Sequence, residues 1–270
     1  MPPHSWIALD GFGGVVFVDY RVASACGLAV LLAAPAAADD KLGCAPTMIG
    51  TVQVRSVIDG RTAQLADGRE LRLSCIEVPE SAKPLLEKLI SGREVSLRKS
   101  GTDSDRYGRV MALVTVQGDG PSVQQALLAE GQARVSGNIA DKACAEAFLN
   151  AEKAARAAGL GLWSDPHYVT RNAENPEGIL AVRGRFAVVE GKVLSVRESG
   201  GTIYVNFGRR WSEDFTVTVL KRNERTFTAA GLELKKLAGQ HVRVRGTVEE
   251  RGGPWIEATR PGQIEIAERN

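Results

Sequence analysis

The stretch that most constrains the fold runs from Val57 to Glu80, VIDGRTAQLADGRELRLSCIEVPE. Thr62–Leu65 and Glu70–Ile76 alternate around Asp67-Gly68, a dipeptide that suits the tight turns joining antiparallel strands. Alternation at period two places every second side chain on one face, so this unit is a hairpin with one apolar side. It ends on two acids, Glu77 and Glu80, which flank Val78-Pro79. A second polar group, Asp105-Arg106-Tyr107-Gly108-Arg109, precedes the apolar run Val110–Val116.

The elements around this hairpin follow the same periodicities. Met48–Ile58, Glu94–Lys99 and Val110–Val116 read as strands, and Pro84–Ile90 as a short helix. Ser122–Glu130 is amphipathic and closes on Gly131, a residue suited to a helix C-cap. Ala143–Ala158 is a second, alanine-rich helix that stops at Gly159 and Gly161 before Trp163. Five strands with a few helices in this order fit an OB-like barrel, an architecture that commonly binds nucleic acid.

Length and charge exclude several function classes. The 270 residues allow one large or two small domains, with 44% hydrophobic and 24% charged residues. A formal charge of +2 argues against a non-specific nucleic-acid coat and leaves room for local basic patches. His4, His167 and His241 are far apart in sequence, which argues against a histidine metal cluster or a Ser-His-Asp site.

Taken together, VIDGRT, the Asp67-Gly68 turn, RLSCIEVPE, DRYGR and the later GLW resemble the staphylococcal nuclease (thermonuclease-like) family over about residues 48–165. The resemblance implies an OB-type barrel that hydrolyses phosphodiesters of DNA and RNA, usually with calcium. It assigns Arg72 and Arg109 to a clamp on the scissile phosphate and Glu80 to the attacking water. Glu77 corresponds to an acidic metal ligand, usually Asp in the family, and the Val78 backbone carbonyl to a further one. Tyr107 corresponds to a phosphate contact. Such roles suit the residue types: guanidinium groups donate in a planar fork to phosphate oxygens, and a carboxylate accepts a proton from water. Asp105 reads as a turn cap or helper acid.

One position departs from the family pattern. The family's turn reads DGDT, whereas here it is Asp59-Gly60-Arg61-Thr62, so Arg61 stands where a calcium-binding acid is usual. Two readings follow. Arg61 takes over part of the metal's electrostatic role as a substrate-binding residue, or catalysis is lost and a phosphate-binding groove remains. Calcium is therefore doubtful, and no other cofactor is implied. The segment after Glu80, Ser81-Ala82-Lys83, is short, and Ser136-Gly137-Asn138 lacks aromatic side chains that would stack a base.

The N-terminal region reads as an export signal. Val22–Ala34 is an apolar run followed by Pro35 and Ala36-Ala37-Ala38, a small-residue cleavage pattern, with residues 1–38 as the signal and the true start expected near Val18 or Val22. At about 13 residues the run is shorter than the roughly 20 that span a bilayer. An uncleaved anchor is the alternative. Export makes cysteines informative, and a Cys44–Cys144 bridge is expected, with Cys75 a buried small residue.

The remaining boundaries are a first barrel over 45–165, a linker over 166–182 marked by Pro, Asn and Gly, and a second OB-like five-stranded barrel over 183–270. The expected fold class is thus mainly β with α, two OB-like barrels, the first with nuclease-like helices. The second barrel shows Arg209, Arg210 and Trp211 in one loop, Lys221, Arg222 and Arg225 in another, and Arg243 and Arg245 on a strand. These suggest a surface that tracks a nucleic-acid backbone, although interleaved acids also suit a solvated face. Trp211 and Trp255 read as core or inter-domain contacts. The function expected is an exported nuclease acting on single-stranded DNA or RNA. A catalytically inactive nucleic-acid-binding or envelope interaction protein on the same fold is the alternative.

Overall fold

Strand β1 (Met48–Val57) organises the first half of the chain because it pairs on both edges, with β2 (Thr62–Leu65) and with β5 (Glu94–Ser104). A register shift between Val54 and Ser56 bends it enough to serve both partners. The computed structural model describes residues 47–116, 120–139, 141–210 and 212–267, which belong to one compact unit, Asp39–Asn270. Between β2 and β5 lie β3 (Glu70–Leu73), β4 (Ile76–Glu77) and helix α1 (Lys83–Ile90). Strand β6 (Val110–Val116) runs parallel to β3 and closes the barrel in the order β1-β2-β3-β6-β5. Leu65, Leu71, Leu73 and Leu97 fill its interior, each about 1.5–3 kcal/mol of transfer free energy when fully buried.

Helix α2 (Val123–Ala129) starts at a capping box, where the Ser122 hydroxyl accepts from Gln125 N–H and Gln125 Oε1 accepts from Ser122 N–H. Buried Gln124 fixes it to β6 by donating to the Ala112 carbonyl and accepting from Val114 N–H. Strand β7 (Arg134–Val135) follows, then α3 (Lys142–Ala157), capped by Asp141. Cys144 in α3 is disulfide-bonded. The expected partner Cys44, the apolar run Val22–Ala34 and Trp211 lie outside the described residues. Among those residues no helix is long and apolar enough to cross a membrane.

Two departures from the sequence reading position the site. Glu70–Ile76 is not one strand. It breaks at Ser74-Cys75, where Cys75 adopts φ 68, a left-handed conformation that strains an L-residue by roughly 1–3 kcal/mol. The chain then leaves the barrel as β4 and pairs with β7, setting Glu77 opposite Arg134. Gly60 is the second device. A Cβ there would lie 2.2 Å from the Pro79 carbonyl oxygen, so only glycine lets the Asp59-Gly60 turn sit against Val78-Pro79.

The stretch expected as a linker contains β8 (Arg171–Asn172) and α4 (Pro176–Leu180), and β8 joins a sheet of the second half. That half continues with β9 (Phe186–Lys192), β10 (Ser195–Ser199), β11 (Thr202–Asn206), β12 (Thr216–Leu220), α5 (Glu224–Ala229), β13 (His241–Thr247), β14 (Glu249–Arg251), β15 (Gly253–Glu257) and β16 (Ile264–Ile266). The second OB-like barrel expected here is divided, by its hydrogen bonding, into two sheets. The strands make a five-stranded sheet, β10-β11-β12-β15-β14, and a four-stranded sheet, β16-β13-β9-β8. Both sheets cover one core of Val189, Val205, Phe215, Val217 and Phe227.

The two halves meet on a seam. Arg245 of β13 and Glu152 of α3 are both fully buried and bonded at 3.0 Å. Glu152 Oε2 also accepts from Val135 N–H at 2.6 Å, and Arg245 donates to the Val135 carbonyl. Arg156, Glu265, Arg243 and Glu190 extend the network. The expectation that Arg243 and Arg245 form a solvent-facing basic surface is therefore wrong. Arg210 and Lys221 are likewise engaged by Glu213, and by Glu198 and Glu224.

Candidate active site

Four short segments converge on one end of the barrel: the Asp59–Arg61 turn, β3, β4 and the Asp105–Arg109 turn. Asp59 Oδ1 accepts from Arg61 N–H at 2.7 Å, which fixes the turn. The Arg61 side chain then spans to β4, donating from Nε to the Leu73 carbonyl at 3.1 Å and from Nη1 to Glu77 Oε2 at 2.9 Å.

Arg72 stands opposite Thr62 across the hairpin and donates to its hydroxyl at 3.3 Å. Among the described residues no carboxylate pairs with it. Burial pushes its pKa down, and the positive charges of Arg61 and Arg109 push it further, against the opposing pull of Asp59 and Glu77. Arg72 is thus a half-buried cation with two cationic neighbours and one neutral hydrogen-bond partner.

Arg109 is paired. Its Nε and Nη2 donate to Asp105 Oδ2 at 2.7 and 2.6 Å. Asp105 Oδ1 accepts from the backbone N–H groups of Tyr107 and Arg109, so this acid both caps the turn and aims the arginine. Burial pushes the Asp105 carboxyl up, but the Arg109 guanidinium and the two backbone donors outweigh it and hold the pKa below its ordinary value. Tyr107 is exposed, with the Arg106 and Arg109 guanidinium carbons 4.7 and 5.1 Å from its ring centroid. Arg106 was not singled out from the sequence.

The two acids are placed differently. Glu77 is held by Arg61, with Arg134 behind it. Arg134 is buried and stacks on Tyr168 and Phe186. Glu80 is exposed at the first residue of the one-turn helix Glu80–Ala82. It makes no hydrogen bond or ion pair among the described residues and contacts neither Arg72 nor Arg109 in that way. Its carboxylate faces solvent beside the turn that Gly60 presses against Pro79.

The donors that the family resemblance assigns to a divalent cation are partly engaged by other groups. Hard cations take several carboxylate and carbonyl oxygens. Here the Glu77 carboxylate is occupied by a guanidinium, Asp59 Oδ1 accepts from the backbone, and no three acid, histidine or cysteine side chains gather among the described residues.

A family model described as staphylococcal nuclease homologue matches residues 70–165, the segment that supplies Arg72, Glu77, Glu80, Tyr107 and Arg109. Protein ParB of Escherichia coli is 31% identical over 137 residues, which cover 43% of this chain and 74% of that protein. The chain belongs to the staphylococcal nuclease homologue family. Endonuclease YncB of Bacillus subtilis is 31% identical over 142 residues, covering 46% of this chain and 66% of YncB. The SPbeta prophage-derived endonuclease YokF of the same organism is 34% identical over 105 residues, covering 38% of this chain and 35% of YokF. The barrel of this staphylococcal nuclease homologue is the fold that the sequence resemblance implied.

Sequence reasoning missed Arg134, Glu152 and the role of Arg245. A signal existed for one of them. Cys144, Phe148, Glu152 and Ala155 fall on one stripe of α3, and an acid on an apolar stripe requires a buried partner. The partner itself comes from a distant strand and has no local signature.

Proposed function

We propose that the chain is an exported hydrolase of phosphodiester bonds in single-stranded DNA or RNA, working at the Arg61–Arg72–Arg109 cluster without a tightly held calcium ion. The observation that carries this reading is Arg72, a half-buried guanidinium beside two others with no carboxylate of its own. Arg61 and Arg109 each hold an acid in an ion pair, while Arg72 feels Asp59 and Glu77 only at a distance, so its donors are open to an outside anion. A phosphodiester supplies it. Arg72 and Arg109 donate to its non-bridging oxygens, where charge builds as the phosphorus becomes five-coordinate. Glu80 accepts a proton from the attacking water as the new P–O bond forms, and the ester P–O bond breaks with its oxygen taking a proton from solvent. Arg61 supplies positive charge where the family uses a metal, and Tyr107 shapes the rim. Membership of the family and the printed names of YncB and YokF support the reaction class. The disulfide on Cys144 supports an oxidising compartment and hence export.

A second reading, phosphate binding without cleavage, is favoured by one observation: Glu80 is exposed, with no neighbour orienting it. One experiment separates the two. The purified chain is incubated with single-stranded DNA and RNA in calcium and in chelator, beside Glu80→Ala, Arg61→Ala and Arg61→Asp. We expect cleavage that persists in chelator and falls about 10²–10⁴-fold in Glu80→Ala, the range for loss of a general base. Arg61→Ala is expected to lose it as well. If the chain is inert in all conditions and Arg61→Asp gains calcium-dependent cleavage, the binding reading replaces the enzymatic one.

A further inference from the structure

The second half carries a built cavity that the hydrolytic site does not use. Its floor is the outer face of the sheet β10-β11-β12-β15, and strand register defines what lies there. One row across the sheet reads Arg197, Tyr204, Thr218 and Glu257; the next reads Ser195, Asn206, Thr216 and Trp255. The alternate residues Ile203, Val205, Val217, Val219 and Ile256 point the other way into the core. An ordinary outward face is flat and wet. This one is concave, and Thr216 and Thr218 are only 7% and 6% exposed although they line the opening. The Gly208-Arg209 loop on one side and the β14–β15 hairpin on the other raise the walls around about 690 Å³, within the range of ligand pockets.

The chemistry of the walls is selective. Arg197 and Arg209 have no ion-pair partner among the described residues, and Arg251 only a 3.9 Å approach to Glu249. Elsewhere in this half Arg183, Arg210, Lys221, Lys236, Arg243 and Arg245 lie within 3.0 Å of a carboxylate, while Arg185, Arg222 and Arg225 are without an ion pair among the described residues. The cavity lining holds one carboxylate, Glu257, against Arg197, Arg209 and Arg251. Tyr204 is 36% exposed beside Arg197, and the Arg251 guanidinium lies 3.5 Å from the Trp255 ring centroid, a flat stack over an aromatic face. Asn206 is buried and organised, donating to the Ser195 hydroxyl and accepting from Thr216. Guanidinium groups at the rim, an aromatic ring in the floor and fixed hydroxyl and amide groups between them match a phosphate backbone, a base face and a base edge.

We infer that this cavity is a second binding site for single-stranded nucleic acid, with a base stacked on Tyr204 and backbone phosphates on Arg197 and Arg209. It extends the proposed function to a separate surface and takes only the substrate class in common with it. The likeness of that class rests on the cavity's own side chains, and a strand that reaches both surfaces would be held while it is cut.

The test uses the full chain in a Glu80→Ala background and a fluorescein-labelled 20-nucleotide oligothymidylate, read by anisotropy across a salt series. Tyr204→Ala is expected to weaken binding about 5- to 100-fold, the range that base–aromatic stacking supplies, while Tyr204→Phe retains it. The Arg197→Ala/Arg209→Ala double variant is expected to lower the salt slope by about 1.4, from two lost phosphate contacts on a single strand. A 5-iodouracil strand should photo-cross-link to the peptide bearing Tyr204. Unchanged affinity and slope in these variants, cross-links confined to the Arg72–Arg109 segment, equal competition by inorganic polyphosphate, or equal affinity for a free mononucleotide would each overturn the inference. If the Glu80→Ala chain cross-links at Tyr204 while the wild-type chain, assayed beside it, cleaves no strand, the proposed function breaks and this site stands; cleavage by the wild type with unaltered binding in the Tyr204 and arginine variants would do the reverse.

Discussion

Two clusters of arginine and glutamate or aspartate lie in this molecule, and they differ in how fully they are neutralised. On the seam Arg245 meets Glu152 and Glu265, Arg243 meets Glu190 and Glu265, and Arg156 meets Glu152. All of these guanidinium groups are matched with carboxylates and largely removed from water. At the barrel end Arg61 and Arg109 each hold an acid, but Arg72 between them has only a threonine hydroxyl. The residue types are the same. The charges of the seam are matched from within and join the two halves, whereas at the barrel end Arg72 has no ion-pair partner of its own, which is the place the proposed substrate would fill.

The largest effect that could break this contrast is on the seam. Glu152→Ala leaves buried Arg245 with Glu265 alone and takes away the acid of Arg156, and breaking such a buried pair costs about 3–5 kcal/mol in urea unfolding of the whole chain. The double variant Glu152→Leu/Arg245→Met, which removes both charges, is expected to recover most of that loss, because a buried pair and an apolar replacement are close in free energy. If the single and double variants are equally unstable, the seam acts through packing and the comparison loses one side.

The smallest effect lies in the acid limb. The Asp105 carboxyl sits below its ordinary 3.8 in the folded chain. A depressed folded pKa contributes stability that is present above the unfolded value and lost as pH falls through the folded one. Stability should therefore drop from about pH 3.8 downward, and Asp105→Asn should flatten part of that drop. Asp67, Asp165 and Glu198 shift in the same direction, so the variant must be read as a difference from the wild type. An acid limb identical in the two proteins would show that Asp105 does not restrain Arg109.

What the sequence disclosed divides along the same line. Local periodicity placed β2 and β6 to the residue, because alternation and the Asp67-Gly68 turn are written in adjacent positions. The ordered motifs also named Arg72, Glu77, Glu80, Tyr107 and Arg109, all on segments that border the barrel end. Three things were not local. Cys75 carries a left-handed backbone that no propensity announces, and it turns a continuous strand into β3 and β4. The alternation of Arg243 and Arg245 in β13 does mark one face, but only the docked α3 shows that this face is interior. The division of the second half into two sheets likewise depends on which distant strands pair, and local alternation does not record that.

The central claim is that the anion missing beside Arg72 is the scissile phosphate. The most direct measurement is the rate of single-strand cleavage by Arg72→Ala relative to the wild type, with urea unfolding followed on the same samples. The account predicts a fall of about 10²–10³-fold in rate, the scale for losing one preorganised donor to a developing oxyanion. Unfolding free energy should change by no more than about 0.5 kcal/mol, since no ion pair is broken. An Arg72→Ala chain that cleaves at the wild-type rate, or one that loses stability on the scale of the seam variants, would contradict it.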